Sequence, residues 1–229
     1  MTSASTGSPA AAGQTPPSNR LLVLDWRRRV DQLYAGVRAE AVDDPAAAHA
    51  RWRAGRDELL GQHPASPLLP EHREGFAGLP VAPYDPAHRY EVEVRPWAEG
   101  SDAPGATFSY RTGTDGVVAF ERVGTADLPG VGSLALWWLA GYGGGLFVPL
   151  RDGASGRWSY GGGRYVLDTV KGADLGAGRD GRLVLDLNFA YPPSCAYDPA
   201  WACPLPPAEN RLEAALEVGE AHAGPWAEH

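Results

Sequence analysis

Two separate stretches of the chain concentrate side chains able to bind a ligand or move protons. In RDGASGRWSYGGGRY, residues 151–165, Asp152, Tyr160, Arg164 and Tyr165 stand among glycines. In LVLDLNFAYPPSCAYDPAWACPLPPAEN, residues 183–210, Asp186, Asn188 and Tyr191 follow an apolar run, and Glu209 and Asn210 close a loop rich in proline and cysteine. Strand alternation sends Asp186 and Asn188 to one face and Leu185 and Leu187 to the other. Polar groups turned inward must be paired or solvated, and two arrangements meet that demand. In one, Arg164 bridges to Asp186 and pins the first stretch to the second. In the other, Arg164 holds an anionic group in a pocket where Asp152, Tyr160, Tyr165, Asn188, Tyr191 and Asn210 orient it. On an enzyme reading of the same residues, Glu209 or Asp186 is the general acid or base, with Arg164 stabilising developing negative charge. A third reading makes the polar set structural, in a domain without a ligand.

Other chemistry-bearing patterns fall short of a site. The glycines of GYGGGLF, residues 141–147, lack both the Gly-Lys-Ser/Thr ending of a phosphate loop and the dinucleotide spacing, so they read as a turn. The six histidines show no metal-site spacing, and His63, before Pro64, is the one worth testing. Cys195 and Cys203 are the only cysteines. Their spacing is not a redox Cys-x-x-Cys, which leaves buried thiols first, a disulfide second and a metal site last. No motif specifies a cofactor or an oligomeric state.

These residues need elements to carry them. Leu22, Trp26, Val30, Leu33 and Val37 recur at spacings of four and three, the stripe of an amphipathic helix. Asp44-Pro45 starts a second helix, with Ala48, Trp52 and Leu59 on one face and Gly61 as its stop. A short helical turn is expected at Glu71 to Phe76. From Arg89 the period changes to two. Strands are expected around Tyr90–Val94, over 107–112 and 117–123 flanking a Gly-Thr-Asp-Gly hairpin turn, and over 133–140, covered on both faces. Others are expected over 146–150, 157–160, 165–170 and 183–187, and Leu212 to Val218 alternates more like a strand than a helix. The predicted fold is mainly β, an antiparallel β-sandwich or partly open β-barrel of about eight or nine strands, with two N-terminal helices packed on it. Residues 1–19 read as a disordered Ser/Ala/Pro tail, and 20–229 as one β-rich domain whose helical segment is 20–61.

Composition narrows the function classes. The 229 residues are 44% hydrophobic, and 29 glycines and 21 prolines punctuate short apolar runs. A net charge of −8 argues against nucleic-acid binding, which needs a basic face. No run approaches the roughly 20 apolar residues of a membrane span, and the N-terminus lacks the apolar centre of a secretory signal. A cytoplasmic protein with a small-molecule ligand, and neither a nucleic-acid nor a membrane partner, is expected.

The runs LFVPLRDGASGRWSYGGGRY, LDLNFAYPPSCAYDPAWACPLPPAEN and EVGE, with HPASPL, GFAGL and YDPAHR earlier, resemble the bacterial and archaeal family called domain of unknown function 1684. The resemblance spans nearly everything after the tail. It implies importance for Asp152, Tyr160, Gly163, Arg164, Tyr165, Asp186, Asn188, Tyr191, Cys195, Cys203, Pro204, Glu209, Asn210 and Glu220. It implies no activity. Leu150, Ser159, Leu187, Pro192 and Val218 depart from the family pattern, and Pro192 replaces an asparagine that would add a polar group to the site.

Overall fold

The computed structural model describes residues 17–98, 104–112, 116–224 and 226. Most of the expected N-terminal tail, residues 1–16, lies outside them. Helix α1 spans Pro17–Ala41 and α2 spans Pro45–Gln62. The link between them is short because Asp44 caps α2. Its carboxylate accepts the Ala47 N–H at 2.9 Å, and Pro45 fills the first turn, where a missing N–H costs nothing. The helices meet through buried Tyr34 and Val37 of α1 and Ala48, Trp52 and Leu60 of α2. Trp52 Nε1 donates to the Tyr34 hydroxyl at 3.0 Å. The expected short turn forms as α3, Pro70–Arg73. Among the described residues, no helix is long and apolar enough to cross a membrane.

Eight strands follow among the described residues: β1 Arg89–Val92, β2 Arg95–Pro96, β3 Thr107–Arg111, β4 Val117–Leu128, β5 Gly132–Ala140, β6 Leu146–Leu150, β7 Arg164–Asp168 and β8 Leu183–Asp186. Strands β1 and β8 form an antiparallel ribbon that sets Arg89 opposite Asp186. The other six form one antiparallel sheet in the order β2-β4-β5-β6-β7, with β3 also on β4. The fold is therefore mainly β and open. At twelve residues, β4 takes β3 and then β2 along one edge, with a bulge between Arg122 and Gly124 in its pairing to β5. Residues 113–115 of the expected hairpin turn lie outside the described residues, but Thr112 N–H donates to the Gly116 carbonyl at 2.7 Å and the flanking strands pair in register.

One hydrophobic cluster joins the helices to the sheets through Trp52, Leu60, Val166, Leu167, Leu185 and Phe189. A smaller aromatic cluster holds Phe120, Trp137, Phe147 and Tyr165. In it Phe108 stacks on Phe120 at 4.5 Å, and Phe147 meets Tyr165 edge-on at 4.8 Å. Strand β5 is covered on both faces only from Leu134 to Trp137, because Trp138 is 44% exposed.

Two expected strands do not form. Over 157–160 the Ala154 carbonyl accepts the N–H groups of Arg157 and Trp158, so the chain turns instead of extending. The C-terminal stretch after Asn210 is neither strand nor helix but an irregular strap. Leu212 N–H bonds to Arg151, Glu220 N–H to Ala190 and Ala221 N–H to Pro80, while Ala82 N–H bonds to the Gly219 carbonyl. No single neighbour supplies a ladder, and the carbonyls of Leu216 and Val218 turn to a side chain instead. Gly219 makes this path possible. Its φ is +77°, and a Cβ would lie 2.6 Å from the Ala190 carbonyl oxygen. We expect Gly219→Ala to destabilise the protein by about 3 kcal/mol in chemical denaturation.

Candidate functional site

The residues singled out in the sequence do not converge on one place. At the first, Arg164 opens β7 with only 1% of its side chain exposed. Its Nη2 donates to Asp152 Oδ2 at 2.9 Å and to the Leu216 carbonyl at 3.0 Å. Its Nη1 donates to the Val218 carbonyl and, at 3.4 Å, to that of Glu220. The Trp158 ring lies 5.3 Å from the guanidinium carbon. Asp152 is equally enclosed, and its other oxygen accepts the N–H groups of Ala154 at 2.7 Å and Leu216 at 3.3 Å. One of the two arrangements read from the sequence paired Arg164 with Asp186, but the partner is Asp152, twelve residues earlier. The arginine ties the turn after β6 to the C-terminal strap.

At the second place, Asp186 ends β8 and Asn188 follows in a tight turn. Asn188 Nδ2 donates to Asp186 Oδ1 and to the Asp85 carbonyl, both at 2.8 Å, and its Oδ1 accepts the Asp85 N–H at 2.8 Å. His49 Nε2 lies 3.0 Å from the Asn188 carbonyl, so it carries the proton, and burial lowers the His49 pKa and favours the neutral ring. Asn188 thus clasps helix α2, the approach to β1 and the end of β8. Burial raises the Asp186 pKa to about 6, against the hydrogen bonds from Asn188 that favour its charged form. Asn210 makes a similar clasp elsewhere. Its Oδ1 accepts Trp137 Nε1 at 2.7 Å, and its Nδ2 donates to the carbonyls of Ala135 and Pro149. Glu209 is half-buried against Gly105.

The third place is a cavity of about 90 Å³ between the two helices and the chain from 191 to 203. Tyr165 and Tyr191 line it, joined by two backbone hydrogen bonds, Tyr165 N–H to the Tyr191 carbonyl at 2.8 Å and the reverse at 3.1 Å. Tyr165 also donates its hydroxyl to the Pro204 carbonyl at 2.6 Å. The other walls include Tyr34, Arg56, Asp168 and Cys203. The Arg56 guanidinium carbon lies 4.7 Å from the Tyr191 ring centre and 5.3 Å from that of Trp52. Its Nη2 donates to Glu220 Oε2 at 2.6 Å and to the Tyr197 hydroxyl at 3.1 Å, and Tyr197 donates to the other Glu220 oxygen. Burial alone would lower the Arg56 pKa, but Glu220 and the nearby tyrosines reverse the shift, so the cation is secure. The Arg56 Nε has no protein acceptor. At the mouth, half-exposed Lys171 lies 3.3 Å from Asp168 Oδ2.

Sequence reasoning did not find Arg56 or Asp168. A signal for Arg56 was present, because it falls four residues after Trp52 on the stripe that continues to Leu59 and Leu60, where a charge needs a partner. That partner, Glu220, is 164 residues away. His63 is held by its own neighbours, its Nδ1 accepting the Ala65 N–H at 3.0 Å and its Nε2 lying 3.1 Å from Asp25. Among the described residues no cluster of three or more His, Cys, Asp or Glu side chains is arranged to hold a metal ion.

Two outcomes follow from the first two places. Arg164→Ala leaves Asp152 buried and unpaired, and is expected to cost about 3–5 kcal/mol of unfolding free energy. Asp186 holds its proton more tightly folded than unfolded, so its stabilising effect is present at acid pH and is lost as pH rises through about 6. Denaturation of wild type and Asp186→Asn across that window should show wild type gaining about 2–3 kcal/mol relative to the variant as pH falls from 6 to 4.

The comparisons with other proteins agree with the sequence resemblance. Residues 74–221 match the family described as Protein of unknown function (DUF1684), so HPASPL falls before the matched region. An uncharacterised protein of Haloarcula marismortui, solved by solution NMR, is 36% identical, with a TM-score of 0.50 over 74% of this chain and 89% of its own. No curated protein matches the chain. With a family match covering more than half its length, and its polar clasps lying inside that match, this chain belongs to the DUF1684 family.

Proposed function

We propose that this protein binds a small anionic or polar molecule, and that the cavity beside Arg56 and Tyr191 is where it does so. One observation carries the reading. A buried guanidinium, flanked by two aromatic rings, borders a partly open cavity and keeps an N–H without a protein acceptor. Arg164 Nε also lacks a protein acceptor, but of the two it is Arg56 that lines the cavity, and an arginine in such a setting suits a carboxylate or another acceptor group. Asp168, Tyr34 and Tyr191 add polar groups of the opposite kind around the same space. A volume near 90 Å³ is far below the several hundred Å³ of drug-sized sites, so the ligand has only a few heavy atoms. A short carboxylic acid or a compact zwitterion fits both the size and the charge pattern.

This places the pocket away from Arg164, Asn188 and Asn210, whose side-chain groups serve the fold. That structural use favours the rival reading of a domain without a ligand. The enzyme reading is weaker, because Asp186 is buried at the β1–β8 ribbon and neither it nor Glu209 lines the cavity.

Titration of the protein with short carboxylic, hydroxy and amino acids, followed by NMR, separates the two readings. We expect saturable shifts confined to residues around Tyr34, Arg56 and Tyr191 for at least one of these compounds. Tyr191→Phe, which keeps the ring and removes the hydroxyl, should weaken that binding by roughly tenfold with little change in melting temperature. Absence of saturable shifts with every compound at millimolar concentration would leave the ligand-free reading.

A further inference from the structure

Asp168 ends β7 and lines the same cavity as Arg56. Only 7% of its side chain is exposed, yet its carboxylate is thinly held. Asp152, equally buried, accepts from an arginine and from two backbone N–H groups. Among the described residues Asp168 has neither, and its charge is met by Lys171 Nζ at 3.3 Å from Oδ2. That lysine is half-exposed on a flexible stem, a poor substitute for the converging donors a buried carboxylate needs. The turn that carries it is fixed. Asp168 and Ala173 exchange backbone hydrogen bonds at 2.9 and 3.0 Å, with the single helical turn Thr169–Lys171 between them. Gly172 closes that turn at φ +85°, and a Cβ there would come within 3.2 Å of the Asp31 backbone on α1. The backbone is thus pressed against the helix, and the lysine stem is the part able to swing. The cavity therefore carries two under-satisfied charges of opposite sign, a guanidinium with a spare Nε–H and a carboxylate short of donors. Val30, Leu33, Leu59 and Pro192 supply apolar surface to the same space.

We propose that the ligand is a small aliphatic amino acid bound as its zwitterion, and that its ammonium replaces that of Lys171 at Asp168. This rests on the reading that the cavity beside Arg56 takes an anionic group. The ligand carboxylate meets the Arg56 guanidinium, its ammonium meets Asp168, and its short side chain lies on the apolar wall. Lys171 is then a built-in counter-ion. It neutralises Asp168 before the ligand enters and swings toward solvent as the second ammonium arrives, so the exchange conserves charge. A simple acid makes no such exchange, and brings its own negative charge toward Asp168 with no compensating cation. A simple amine leaves the Arg56 Nε–H without an acceptor. Each half of the zwitterion thus answers one of the two under-satisfied groups.

Dissociation constants are measured by NMR titration of the full-length protein at neutral pH with matched pairs: glycine and glycolate, L-alanine and L-lactate, L-valine and its 2-hydroxy analogue. The members of a pair share their shape and differ only in an ammonium against a hydroxyl. For at least one pair the amino acid should bind about tenfold more tightly than its hydroxy acid. Lys171→Met should tighten the amino acid and not the hydroxy acid. Asp168→Asn, with a wild-type-like spectrum as the check on its fold, should erase the preference while the hydroxy acid still binds. Equal affinity within every pair that binds would overturn the amino-acid proposal and leave the anion-binding reading intact. An amino-acid affinity unchanged in Lys171→Met would overturn the exchange at Asp168, and no saturable shift with any of these compounds would overturn both readings.

Discussion

A guanidinium withdrawn from water is destabilising unless protein groups replace the solvent around it. Arg164 meets that condition by drawing in two remote pieces of chain. The turn after β6 brings a buried carboxylate, and the C-terminal strap brings the carbonyls of Leu216, Val218 and Glu220. Those carbonyls point at a side chain and so cannot pair along a neighbouring strand. The strap is therefore irregular, yet held at Ala190, Arg151 and Pro80 by its own backbone. Its return past Ala190 also delivers Glu220 to Arg56 on helix α2. One ion pair thus fixes the course of the segment that supplies the second.

The two buried arginines illustrate why equal chemistry does not mean equal function. Arg164 has both terminal nitrogens occupied by acceptors and is closed over by Trp158. Arg56 is paired on one side, stacked between rings, and borders open space. Each keeps an Nε without a protein acceptor, but of the two only Arg56 lines the cavity. The cavity also adjoins the buried thiol of Cys203.

Much of this was legible in the residues, for reasons that are local. The stripe from Leu22 to Val37, the Asp44-Pro45 cap and the alternation after Arg89 are short-range patterns, and they specify the helices and most strands. The density of polar groups near 152–165 and 186–210 correctly signalled demanding structure there. Their partners were not legible. Arg164 has a carboxylate at Asp152 and another at Asp186 within reach of any sequence argument, and only the tertiary path of β7 selects the nearer. The final segment alternates apolar residues because Leu212, Leu216 and Val218 face the core, but alternation cannot reveal that its carbonyls are claimed by a side chain. The cavity was missed because its walls come from α1, α2, β7 and the 191–203 chain, and α2 lies before the family-matched region.

The central claim is that the Arg164 guanidinium is locked inside the protein by carbonyls of the C-terminal strap. Nitrogen-15 NMR of the arginine side chains reads this directly, because a guanidinium held by fixed acceptors cannot rotate or exchange freely. The account predicts separate, exchange-protected Nη resonances for Arg164 at neutral pH, with measurable couplings across the hydrogen bonds to the Leu216 and Val218 carbonyls. A single averaged, rapidly exchanging Nη signal like that of a surface arginine would contradict it.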